Sequence, residues 1–131
     1  MNDLYPHADL TRRIIACAIE VHRALGPGFL EIFHKRAMAI EMRLAGLRFG
    51  IESPFPVRYK GRSIGGHPAD FDVERTVLVE AKAMESILPR HRAIAYSYLR
   101  ASGRPLILII HFQEALLKDG ICRLVRKEVL R

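Results

Sequence analysis

The sequence predicts a mixed α/β (α+β) fold, a mixed sheet of about four main strands flanked by helices, in one domain spanning residues 1–131. Three observations point there. Apolar residues recur at three- and four-residue steps up to about residue 45. Beyond that point they alternate or form short runs bounded by turn residues. The nearly uncharged, β-branched run over residues 106–112 reads as a strand covered on both faces.

Taken in order, Asp9 or Thr11 can cap a first helix running to about Leu25, with Ile14, Ile15, Ala18, Val21, His22 and Leu25 as its apolar stripe. Gly26-Pro27-Gly28 stops it, since glycine takes a left-handed end and proline cannot continue a helix. A second helix over residues 29–45 would bury Phe29, Phe33, Ala37, Ile40 and Leu44. Strands are expected over residues 47–51 and 55–59, the latter turned by Lys60-Gly61-Arg62, then over residues 69–73 and 77–83. Pro89 suits the first turn of a helix over residues 90–101, ended by Ser102-Gly103. A loop or short helix over residues 113–119 separates the strand at 106–112 from a charged, edge-like strand at 120–126.

No apolar run approaches the roughly 18–20 residues that span a bilayer, so no membrane role is expected. The N-terminus lacks the basic start and apolar centre of a signal peptide. Cys17 and Cys122 stand among apolar residues without metal-ligand spacing, which suits buried thiols in a reducing cytoplasm. Net charge is +7, a balance that fits a polyanionic partner, nucleic acid before membrane surface.

Chemistry concentrates at Asp70 and at Val79-Glu80-Ala81-Lys82. Side chains alternate along a strand, so Glu80 and Lys82 share a face. If residues 74–76 form a hairpin loop, Asp70 lies opposite Glu80 on that face. Two carboxylates and the Ala81 carbonyl then offer oxygen ligands to Mg²⁺ or Mn²⁺. Such a cation supports phosphodiester hydrolysis. Lys82 would stabilise developing charge rather than act as general base, because neighbouring carboxylates keep it protonated. A cross-strand salt bridge on a solvated face has the same spacing, so these residues alone leave both readings open.

Glu31, in the first turn of the second helix, and Glu20, beside the small residues Ala16, Cys17 and Ala24, are further carboxylate candidates. The helix dipole explains Glu31 equally well, and a solvated helix edge explains Glu20. Arg90 and Arg92 precede the body of the third helix and are placed to meet a nucleic-acid backbone. The six histidines show no zinc spacing, and His22 and His111 read as packing residues.

Residues 18–31, Ala-Ile-Glu-Val-His-Arg-Ala-Leu-Gly-Pro-Gly-Phe-Leu-Glu, resemble the signature of the small GxxExxY proteins of the PD-(D/E)xK nuclease superfamily. Similar runs follow in order: Ala39-Ile40-Glu41, Pro56-Val57, Tyr59-Lys60-Gly61, Asp70, Val79 to Ala83, Tyr98-Leu99 and Leu117 to Ile121. The resemblance implies a restriction-endonuclease-like core, Mg²⁺ or Mn²⁺ dependence, and DNA, with RNA second, as substrate. By position, Asp70, Glu80 and Lys82 match the nuclease triad, Glu31 matches the helix carboxylate, and Gly28 matches the motif's glycine. Two positions depart: His34 stands at the motif's tyrosine, as a supporting group, and Ile94 where a glutamine is common. Tyr98 remains and joins Arg90 and Arg92 as a nucleic-acid contact. The departures keep a second function open, a weakly active or inactive module binding nucleic acid or protein on the same fold. Monomer and homodimer both stay open.

Overall fold

The computed structural model describes residues 6–82 and 88–126, apart from the side chain of His67. Two helices come first, α1 (Ala8–Leu25) and α2 (Glu31–Leu44), followed by β1 (Phe49–Tyr59), β2 (Arg62–Val73) and β3 (Val77–Lys82). Helix α3 (Pro89–Ser102) leads to β4 (Leu106–His111), a 3₁₀ turn (Leu117–Gly120) and β5 (Ile121–Val125). Among the described residues the sheet has five strands in the order β1-β2-β3-β4-β5. Of these, only β3 and β4 pair in parallel, as their helical crossover through α3 requires.

The sheet is covered on both sides. Ile14, Ala18 and Val21 of α1 and Met38 and Met42 of α2 pack with Phe71, Val79, Leu108 and Ile110. Ala95 and Leu99 of α3 pack on the other face with Leu78, Ile107, Ile109 and Leu124. Between these layers β4 is buried at every residue, which explains its β-branched, uncharged sequence. Gly26 ends α1 at φ 66, and its N–H is taken by the His22 carbonyl at 2.7 Å.

Two expectations need correction. The strands expected at 47–51 and 55–59 are one strand, β1, which continues through Glu52 by giving that residue a left-handed φ of 49. The core face of α2 is also not the expected one. Phe33, Ile40 and Leu44 are exposed, whereas His34, Met38 and Met42 have no accessible surface. Helix α2 has apolar residues on both faces, so periodicity offered two stripes, and a histidine disguised the buried one.

The β1–β2 hairpin is longer than the sheet it joins. Strand β3 pairs with β2 only at Phe71, Asp72 and Val73, so residues 53–69 form a two-stranded ribbon standing beyond β3. Pro54, Pro56 and Pro68 are tolerated there because each ribbon strand has an open side that demands no donor. Lys60 and Gly61, both at positive φ (50 and 78), make its tight turn.

Candidate metal and nuclease site

The β2–β3 hairpin has the loop that the expected register requires. Thr76 N–H donates to the Val73 carbonyl at 2.9 Å around left-handed Glu74 and Arg75, and Val73 pairs with Val77. Continuing that ladder sets Asp70 opposite Glu80. Here side chains replace the backbone ladder. Asp70 N–H donates to Glu80 Oε1 at 3.2 Å, and Ala81 N–H donates to Asp70 Oδ2 at 2.8 Å. Each carboxylate is thus held by its neighbour's strand.

Asp70 also sits where β2 turns over. Ala69 packs in the layer under α3, yet Phe71 packs in the layer under α1 and α2. A regular strand would put these two on one face. The β1–β2 pairs pass from Ile51–Phe71 to Ser53–Ala69, leaving Glu52 and Asp70 as the irregular step. This local twist lets Asp70 meet a group from the α2 side: Lys35 Nζ lies 2.9 Å from Asp70 Oδ1 and 3.7 Å from Glu52. Burial pulls the Lys35 pKa down, but its hydrogen bond to Asp70 and the charges of Asp70, Glu52 and Glu31 outweigh this and hold it above the ordinary lysine value. Glu31, at the first position of α2, therefore acts in the same field.

Glu80 is 5% exposed. Burial and the Asp70 charge raise its pKa to about 7, against the opposing pull of Lys82, the Asp70 N–H and Lys35. Lys82 Nζ is 3.7 Å from Glu80 Oε2. The two line a pocket of about 90 Å³ with His91, Ile94, Ala95 and Tyr98 of α3 and Ile109 of β4. Burial and the Glu80 and Asp70 charges raise the Tyr98 pKa, so its ring stands within their field. His91 Nδ1 accepts the Leu88 N–H at 2.8 Å, which leaves the ring proton on Nε2.

The donors fit a hard divalent cation. A strand residue's N–H and C=O point to the same neighbour, so the Ala81 carbonyl opens toward Asp70 like its amide. Two carboxylates and a carbonyl are all oxygen, the set that Mg²⁺ and Mn²⁺ prefer, with water and phosphate oxygens completing the shell. Among the described residues no three His, Cys, Asp or Glu side chains converge as a metal cluster. The place is an open carboxylate pair rather than a closed cage.

A family model described as the PD-(D/E)XK nuclease superfamily matches residues 8–124. The chain belongs to the PD-(D/E)XK nuclease superfamily. Its restriction-endonuclease-like fold is shared by two solved structures, both with a TM-score of 0.54 and covering 98% of this chain and 75% of the other. One is an alkaline exonuclease, LHK-Exo, from Laribacter hongkongensis, at 17% identity, and the second is LHK-Exo in complex with dAMP, at 15%. Likeness at this identity speaks for the fold alone. No curated protein matches the chain.

Within this PD-(D/E)XK fold, the expected residues sort by position. Asp70, Glu80, Ala81 and Lys82 come together, and Tyr98 and Ile94 stand on the pocket wall. Glu31 reaches the group through Lys35. Glu20 does not join them: it is exposed and paired with Arg23 at 2.9 Å, because its place on α1 faces solvent. Arg90 and Arg92 are exposed and do not line the Glu80 pocket, whereas His91 between them does.

His34 is a packing residue. Fully buried, it stacks on Phe112 at 4.6 Å and donates from Nε2 to the Gly26 carbonyl at 2.9 Å, pinning the loop between α1 and α2. Lys35 and Glu52 escaped the sequence reading. A lysine on an amphipathic helix looks solvated, and nothing in the sequence marks the left-handed turn at Glu52. The Glu31-to-Lys35 spacing of four residues was the one available signal.

Proposed function

We propose that the protein is a divalent-metal-dependent nuclease hydrolysing phosphodiester bonds of DNA, with RNA as the second choice of substrate. The reading is carried by Asp70 and Glu80, whose carboxylates are each fixed by the other's strand beside Lys82. Asp70, Glu80 and the Ala81 carbonyl would hold Mg²⁺ or Mn²⁺. When bound, that cation supplies Lewis-acid activation of the phosphate and a more acidic water.

The chain's own groups have distinct parts. Lys82 places a positive charge where the pentavalent phosphorus gathers negative charge. Lys35 neutralises Asp70 from the α2 side and keeps that carboxylate oriented, with Glu31 and Glu52 holding the lysine. Tyr98 and Ile94 narrow the approach to Glu80. The matching residues 18–31 support the GxxExxY group as the branch of the superfamily. Buried, unpaired Cys17 and Cys122 support a cytoplasmic setting. Among the described residues no helix is long and apolar enough to cross a membrane.

A second reading, a non-catalytic module binding nucleic acid or protein, is favoured by one observation. Ile94 brings an apolar side chain to the pocket wall where the resemblance expects glutamine. Incubation of wild type, Glu80→Ala and Lys82→Ala with single-stranded, duplex and branched DNA plus Mg²⁺ or Mn²⁺ separates the two. The nuclease reading expects cleavage by wild type alone, while Lys82→Ala still binds DNA. Equal background from all three proteins on every substrate would sink it.

A further inference from the structure

The Glu80 pocket does not stand alone on its face. Past the residues that line it, α3 meets the ribbon, and a cleft of about 470 Å³ opens between Pro56, Val57 and Arg58 of β1 and Ser97, Arg100 and Ala101 of α3. Phe55 and Tyr98 touch edge to face, with ring centroids 6.5 Å apart, between the pocket and the cleft. The two hollows therefore follow one another along the helix.

Charge is sorted to the same place. Between Glu52 and Asp70 the ribbon carries Arg58, Lys60 and Arg62 and no acid. No acid occurs from Leu88 to Gln113 either, a stretch that includes all of α3 and its Arg90, Arg92 and Arg100. Arg58 and Arg100 are exposed, and among the described residues neither meets a carboxylate. Arg100 is instead steadied by Ser97 Oγ at 3.1 Å. Arginines thus line the cleft at one end of the path, and the pocket at the other end holds the Glu80 carboxylate beside Lys82.

We infer that the ribbon–α3 cleft is the track for a single strand of nucleic acid, with its phosphates on Arg58 and Arg100 and its sugars and bases against Pro56, Val57 and Ala101. This assignment deepens the nuclease reading and rests on it for the direction of the strand, toward Glu80. A groove of cations with apolar and aromatic walls is the usual design for a single strand. The ribbon and α3 touch through Phe55 and Tyr98, which closes the cleft at the end toward Glu80 and suits one strand better than a duplex. The pocket beyond, about 90 Å³, is much the smaller of the two hollows, so the strand must bend its backbone inward to bring a phosphate to Glu80.

The test is the salt dependence of binding of a labelled oligothymidine, by fluorescence anisotropy with EDTA present. Wild type, Arg58→Ser/Arg100→Ser and the equal-charge control Arg12→Ser/Arg23→Ser on α1 are compared. The cleft variant should lose about tenfold in affinity and about 1.4 in the slope of log affinity against log salt, as expected for two single-strand phosphate contacts, while the control keeps the wild-type slope. Equal losses in both variants, or none in the cleft variant, would overturn the track. So would a duplex of the same length bound more tightly than the strand by wild type. Hydrolysis of a small aryl phosphodiester, too short to reach the cleft, distinguishes this from failure at the carboxylates. The cleft variant should match wild type there. A wild type inert toward DNA and that diester alike, with slopes that still separate, removes the nuclease reading and keeps the track.

Discussion

Glu80 is the residue whose environment departs most from an ordinary carboxylate, and the departure can be measured without any substrate. Its folded pKa of about 7 lies above the ordinary 4.5. Between those values the folded chain keeps a proton that the unfolded chain has released, so stability falls as pH rises through this window and the loss is complete above pH 7. A shift of that size amounts to on the order of 3 kcal/mol. Glu80→Gln, which cannot ionise, should therefore melt higher than wild type at pH 8 without metal, with a gain that shrinks toward pH 5. Added Mn²⁺ should stabilise wild type and not the variant. Identical melting of the two proteins at pH 8 would mean that Glu80 is not buried beside a second charge.

Lys35 makes the complementary case. It pairs with Asp70 at 2.9 Å, and both side chains are mostly buried. Lys35→Met leaves the carboxylate without its counter-charge, for an expected loss of about 1–3 kcal/mol. Denaturant melts with and without Mn²⁺ check this, since a divalent cation should restore part of the loss. These two residues also mark the limit of the sequence. Glu80 was legible because alternation and an odd hairpin loop fix its partner, but the Lys35 contact depends on a strand that turns over at Asp70.

Among the elements, α3, β3 and β4 were legible, β2 (Arg62–Val73) was read only over its last part at 69–73, and α2 and β1 were not read correctly. A strand covered on both faces announces itself as an uncharged run, and a hairpin loop announces its register. Helix α2 offered two apolar stripes, and only the packing of His34 against Phe112 decides between them. Met42 has no exposed surface, whereas Leu44 is 77% exposed. Met42→Ala should therefore cost about 2–4 kcal/mol, and Leu44→Ala under about 0.5 kcal/mol. Equilibrium unfolding in urea distinguishes them, and the opposite order would restore the face that periodicity first suggested. In β1, the continuous strand depends on the left-handed φ at Glu52, a conformation for which the sequence offers neither glycine nor asparagine as a sign.

At the scale of the whole molecule, one sheet is sealed by α1 and α2 on one side and by α3 on the other. Its chemistry gathers where β3 and β4 end and the β2 ladder gives way to carboxylates. That arrangement could be anticipated from Asp70, Glu80 and Lys82, because the hairpin loop sets Asp70 opposite Glu80 and alternation along β3 sets Lys82 beside it. The ribbon was not visible, because its length relative to β3 is a property of the pairing and not of either segment. The central claim is that Asp70 and Glu80 share a divalent cation. Anomalous diffraction from crystals soaked in millimolar Mn²⁺ tests it most directly. A peak is expected where Asp70, Glu80 and the Ala81 carbonyl would hold the ion, absent from Glu80→Gln crystals. No peak there, or one bound by other residues, would contradict it.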